Sequence, residues 1–200
     1  MPYINPAQHE SHEMSHEEMK RVLCEHLDDI CTYLSAGTHW NMRAANASRK
    51  LAIRGLGRWH DCCAKSMFCE LEHLAKVVGD KLGYMPKIDI QLVAKAEMFD
   101  MNNINDFKAH FKMWMDMQHE LAECLNHAIH KARTVDVQIY EKLCCMANMV
   151  QNEKMRIRMT YDSFDFAGWN AHDISVKSKW IHHYFEHEHI EGEDVNFNLG

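Results

Sequence analysis

Proline and glycine are scarce in this chain, at 3 and 8 of 200 residues. Turns need that punctuation, so few elements fit, and long helices are favoured over many short strands. No apolar run approaches the roughly 18 residues of a membrane span. Met1 to Glu18 is polar and acidic, the reverse of a basic then apolar export signal. A soluble, cytoplasmic protein is the expectation. There is no Cys-x-x-Cys pair, which points away from zinc and thioredoxin motifs; Cys24, Cys31, Cys62, Cys63, Cys69, Cys124, Cys144 and Cys145 fall within helical patterns, as small reduced side chains would. No glycine-rich phosphate loop, Gly-x-Ser-x-Gly elbow or ordered Ser-His-Asp set argues for phosphoryl transfer or hydrolysis.

A net positive charge is missing too. The formal charge is -7, which argues against nonspecific grip on nucleic acid. One local exception is the run Arg43, Arg49, Lys50, Arg54 and Arg58, in which Lys50, Arg54 and Arg58 would share a helical face. A solvated face or partner surface is the first reading of that run, and an anion or nucleic-acid site the second.

What the chain does hold is 46% hydrophobic and 26% charged residues, ordinary globular usage, together with 16 His, 15 Met and 8 Cys. Met19, Leu23, Leu27, Ile30 and Leu34 recur at helical spacing and predict a first helix from about Ser15 to Asn41, with a polar break at Ala44 to Ser48. Leu56, Trp59, Cys63, Met67, Leu71, Leu74 and Val78 predict a second, ending near Gly83. Tyr84 to Asp106 is a long connection in which Ile90 to Phe99 forms a short helix across the bundle. Phe107, Phe111, Trp114, Leu121, Leu125 and Ile129 trace a third long helix to about Arg133, and a fourth starts at an Asp136 N-cap. A short fifth runs from Asp173 to about His187. The expected organisation is an all-α four-helix bundle over 15–162, a His- and Glu-rich tail over 1–14, and an aromatic, His-rich extension over 163–200.

Such bundles become metal proteins when carboxylates and imidazoles point inward from several helices. Each long helix offers candidates. His26 lies with Leu23, Ile30 and Tyr33 on the first; Glu70-Leu71-Glu72-His73 is a Glu-x-x-His motif on the second; Gln118, His119, Glu120 and Glu123 lie beside Leu121 on the third; Glu153 follows Met149 and Val150 on the fourth. The fourth helix reads Glu153-Lys154-Met155-Arg156, so Glu-x-x-His does not recur there as a symmetric di-iron site would need. Methionines such as Met113, Met117 and Met146 adjoin the apolar stripes and read as core fillers. His12 with His16, and His183 with His187, are spaced to share a transition metal on a helix, or else to titrate as solvated tails.

This order of helices resembles the ferritin-like family. The segment Thr38-His39-Trp40-Asn41-Met42-Arg43-Ala44-Ala45-Asn46 resembles the His-Trp-Asn-x-Arg-Gly signature of the Dps mini-ferritins. The resemblance implies a ferritin-like bundle with a crossover helix, assembling as a homo-oligomer, up to a cage. It also implies an iron ligand at His39, between two subunits. Counting forward without gaps puts Ser66 and Glu70 where that family has Asp and Glu. The family's basic DNA-binding tail is replaced here by His9, Glu10, His12, Glu13, His16, Glu17 and Glu18, so DNA binding is not carried over.

The expectation is therefore Fe(II) oxidation and storage with protection against oxidative damage, zinc or another divalent metal being the other candidate cofactor. Glu70 and His73 would be bridging carboxylate and terminal imidazole, Glu120 and Glu153 would complete the shell, and His26 and His39 are further ligands. The alternative is a ferritin-like structural or interaction subunit without ferroxidase activity, supported by the broken second motif on the fourth helix, the missing Asp-x-x-x-Glu and the aromatic C-terminal extension.

Overall fold

The computed structural model describes residues 14–97, 102–103, 106–170, 172–174 and 176–177. Five helices account for almost all of them: α1 (His16–Lys50), α2 (Arg54–Leu82), α3 (Ile90–Glu97), α4 (Asp106–Val135) and α5 (Val137–Phe166). The all-α expectation holds. The tail over 1–14 and the fifth short helix to His187 lie for the most part outside the described residues.

The helix ends follow from local chemistry. Ser15 caps α1 by accepting the Glu18 N–H at 3.2 Å, and Asp136 caps α5 by accepting from the N–H groups of Gln138 and Ile139 at 2.9 and 3.0 Å. Gly83 closes α2 in the left-handed region with φ 61°, where a residue without Cβ carries no steric penalty.

The expected polar break at Ala44 to Ser48 is absent. Ala44, Ala45 and Ser48 are buried, and these small residues let α2 approach closely: a Cβ on Gly57 would lie 3.2 Å from the Ala45 carbonyl oxygen. The break falls instead at 51–53, where Ala52 adopts φ 61°. Lys50 therefore ends α1 while Arg54 and Arg58 belong to α2, so the continuous basic face expected for these three is not formed. Arg49 pairs with Asp61 across the break. At the far end, α5 runs past Asp162 because Phe164 turns inward and is fully buried.

Packing joins α1 to α2, α4 to α5, α1 to α4 and α2 to α5, with α3 laid on α1. His26 meets His127 while Trp40 stacks on His110, so α1 and α4 run antiparallel. Glu70 meets Lys142 and Cys63 meets Glu153, so α2 and α5 do as well. As α1 and α2 also run in opposite directions, α2 and α4 point the same way, and the connection between them must travel the length of the bundle. Its first part is tied down on α1. The Tyr84 hydroxyl donates to the Asp28 carboxylate at 2.8 Å, the Lys87 N–H donates to Asp28 at 2.7 Å, and the Asp89 N–H donates to the Thr32 hydroxyl at 3.0 Å.

Two apolar clusters fill the bundle. One gathers Leu23, Leu27, Ile30, Leu74, Val78, Leu121, Leu125 and Leu143. The other gathers Trp40, Trp59, Phe107, Phe111, Trp114, Ile157 and Phe164. Each such fully buried side chain contributes about 1.5–3 kcal/mol relative to exposure. Four of the five residues of the first stripe read from the sequence, Leu23, Leu27, Ile30 and Leu34, are buried as expected.

Candidate functional site

A polar centre lies within the aromatic half of the core. Asn41 of α1, His60 of α2 and His110 of α4 are each at most 1% exposed. The Asn41 Nδ2 donates to the Gly37 carbonyl at 2.8 Å, a bond that fixes which end of the amide is oxygen. Its Oδ1 faces His60 Nδ1 at 2.8 Å, so that nitrogen must carry the proton. The His60 Nε2 is then an acceptor, and His110 Nε2 donates to it across 3.2 Å. The result is a directional chain from His110 through His60 and Asn41 to the backbone of α1.

Aromatic rings enclose this chain. Trp40 stacks face to face on His110, with centroids 4.1 Å apart and planes 5° from parallel, and Trp114 lies 4.6 Å from His60. Burial pushes the His60 imidazole down to about 3, and burial with the neighbouring His60 holds His110 well below the usual range. Both rings are neutral at physiological pH, as an imidazolium here would be a buried, unpaired charge. Around them the Trp114 Nε1, Gln118 Oε1 and Ser48 Oγ atoms are buried without a hydrogen-bond partner among the described residues.

The six residues read from the sequence as metal ligands are distributed differently. Glu70 is bound by the Lys142 ammonium at 2.6 Å, in a pair whose side chains are less than a fifth exposed. His73, one turn on, faces solvent. Glu153 accepts the Cys63 thiol at 3.1 Å, and burial raises its carboxyl above the usual range. These three mark the α2–α5 side. On the α1–α4 side, Glu120 is exposed and reached by the Tyr33 hydroxyl at 3.5 Å, and His26 faces His127 with ring centroids 5.7 Å apart. His39 is exposed on α1, beside the buried Trp40.

This donor set does not fit a carboxylate-bridged iron pair inside the bundle. A lysine cation occupies Glu70, burial favours the neutral form of Glu153 against the opposing pull of the Cys63 thiol, and Glu120 lies in a different seam from both. Among the described residues, no three His, Cys, Asp or Glu side chains come together as a metal-holding group. Three of the thiols are held in the protonated form, which does not ligate metal: burial pushes Cys31 up to about 12 and Cys124 to about 11, and raises Cys63 well above its ordinary value.

Sequence reasoning missed His60 and His110. His60 follows Trp59 on the second apolar stripe, and His110 lies between Phe107, Phe111 and Trp114, so their helical positions mark both as inward-facing. Trp40 and Asn41, which stand in the signature-like segment, hold the two histidines in the folded chain. Among the described residues, no helix is long and apolar enough to cross a membrane. No family model matches the chain, and no curated protein matches it in sequence.

Proposed function

We propose that this chain is a ferritin-like subunit, similar to the Dps mini-ferritins, that serves assembly and interaction and does not run ferroxidase chemistry within its own bundle. The observation that carries this reading is the Glu70–Lys142 pair. The Glu-x-x-His carboxylate of α2 is neutralised by a lysine from the facing helix at 2.6 Å, where an iron ligand would need its charge for the metal. Helix order, a connection that must travel the bundle's length, and α3 laid on α1 support the ferritin-like comparison. The partner on this reading is a second copy of the chain, in a homo-oligomer that extends to a cage. Exposed Met42, Phe68, Met155, Met159 and Phe166 give it apolar surface to bury.

A second reading has one specific observation behind it. His39 is exposed on α1 at the position where the mini-ferritin resemblance puts an iron ligand between subunits. Fe(II) oxidation and storage would then belong to the oligomer and not to the single bundle. Light scattering combined with aerobic Fe(II) addition separates the two. The first reading expects an oligomer whose Fe(II) oxidises no faster than in buffer. An oligomer that oxidises Fe(II) faster than buffer, and loses that rate in His39→Ala, supports the second.

A further inference from the structure

The geometry points to a binding site for a phosphate group at the first turn of α2, where that helix meets the end of α1. A helix leaves its first N–H groups without carbonyls of its own, and they form the positive end of its dipole. Ser15 and Asp136 supply a side-chain acceptor to α1 and α5. At α2 the N-cap position is Ile53, no side chain caps the helix, and the first turn holds no acid. The Ile53 N–H goes to the Ser48 carbonyl at 2.8 Å, and the next to meet a carbonyl is that of Gly57, on Ile53 at 3.1 Å. The N–H groups of Arg54, Gly55 and Leu56 between them are left for an outside acceptor, although Gly55 and Leu56 are buried.

A side chain points independently to the same ligand. The Ser48 hydroxyl is fully buried and has no hydrogen-bond partner. It stands against this turn: the Ser48 carbonyl takes the Ile53 N–H, and the Ser48 Cβ lies 3.7 Å from where a Cβ on Gly57 would be. A hydroxyl donates as well as accepts, so it can join the three N–H groups on one oxyanion. Gly55 puts no side chain between these donors and the ligand. Ala52 and Arg54 are exposed on either side of Ile53, so the corner is reached from water.

The charge of the corner has the matching sign. Lys50, Arg54 and Arg58 are exposed and enter no ion pair among the described residues, and Arg54 and Arg58 stand one turn apart on α2. No acid occurs from Arg43 to His60, and Asp61 is held by Arg49. Three of the carbonyls at the end of α1, which would repel an anion, are occupied: Ala47, Ser48 and Arg49 accept from Leu51, Ile53 and Ala52. Guanidinium groups take phosphate oxygens in pairs, and the open N–H groups of a helix start favour the same charge. A free phosphate ion and the end of a phosphomonoester present the same chemistry here. The site is separate from the Glu70–Lys142 pair and from His39, and does not depend on the role of either.

The test is a calorimetric titration of the full chain with inorganic phosphate, on wild type, Arg54→Ala with Arg58→Ala, Ser48→Ala and Arg133→Ala. Thermal unfolding in phosphate and in sodium chloride of equal ionic strength is the second readout. The expected result is one phosphate per chain, bound at least about tenfold more weakly by the double arginine variant and severalfold more weakly by Ser48→Ala. Arg133→Ala, which removes an exposed cation from the far end of α4, should bind as wild type does. Without phosphate, Ser48→Ala should unfold no lower than wild type, because it deletes a buried hydroxyl that has no partner, so loss of the site is distinguished from loss of the fold. Phenyl phosphate that competes more strongly than inorganic phosphate would assign the site to phosphomonoesters, and the reverse order to free phosphate; both uphold the site. No saturable binding in wild type, equal affinity in all four proteins, or an equal rise in Tm with sodium chloride would overturn the proposal and leave a solvated basic corner.

Discussion

The ammonium of Lys142 on α5 lies 2.6 Å from Oε2 of Glu70 on α2, and the two side chains are 18% and 17% exposed. A pair this sheltered is asymmetric in its energetics. Removing one partner strands a charge, whereas removing both leaves neutral surface. Lys142→Ala is expected to lose about 1–3 kcal/mol, less than a fully buried pair would because some solvent reaches the site. Glu70→Gln combined with Lys142→Met should recover most of that loss. Urea unfolding of the three variants measures it, and a Lys142→Ala protein as stable as wild type would show that the pair does not hold α2 to α5.

The His60–His110 pair predicts an acid sensitivity with a defined window. Both folded imidazoles are depressed by burial, so between the unfolded value near 6.5 and the folded value of about 3 for His60, the unfolded chain binds the extra protons. Stability is therefore full above about pH 6.5 and falls as the pH drops, by about 1.4 kcal/mol per pH unit for each histidine. Unfolding free energies at pH 7 and pH 5 should differ by about 2 kcal/mol per histidine. Half that change would mean that one ring accepts a proton in the folded chain, and a flat profile that both do.

Asp136 offers a local check on how the α4–α5 turn is built. Its carboxylate accepts from two N–H groups that begin α5, and Asp136→Ala should cost about 1 kcal/mol, within the range of about 0.5–2 kcal/mol for N-caps. Asp136→Asn, which keeps the acceptor, should recover most of it. Thermal unfolding of the pair decides whether the acceptor or the charge matters.

Much of the fold was legible because it rests on periodicity and punctuation. The stripes beginning at Met19, Leu56 and Phe107 recur at helical spacing, and Gly83 and Asp136 stand where helices end and begin. The misplaced break at Ala44 to Ser48 has a plain cause. A run of small and polar residues resembles a loop in sequence, but here it is the contact that lets α1 and α2 approach.

The site was far less legible. Glu70, Glu120 and Glu153 were picked as carboxylates near apolar stripes, yet helical spacing fixes only which face a residue is on, not what waits across the gap. Lys142 and Cys63 lie 72 and 90 residues from the carboxylates they engage, and no local pattern pairs them. His60 and His110 are likewise 50 residues apart, and their joining through Asn41 is a tertiary fact.

The measurement that bears most directly on the proposal that the bundle runs no iron chemistry of its own is iron retained per chain after anaerobic Fe(II) loading and gel filtration, in wild type and in Glu70→Ala with Glu153→Ala. Equal retention in the two proteins is the expected result, because neither carboxylate is available to the metal. Iron near one or two per chain in wild type that disappears in the double variant would contradict it, and would mean that Lys142 and Cys63 give way to a ferroxidase centre after all.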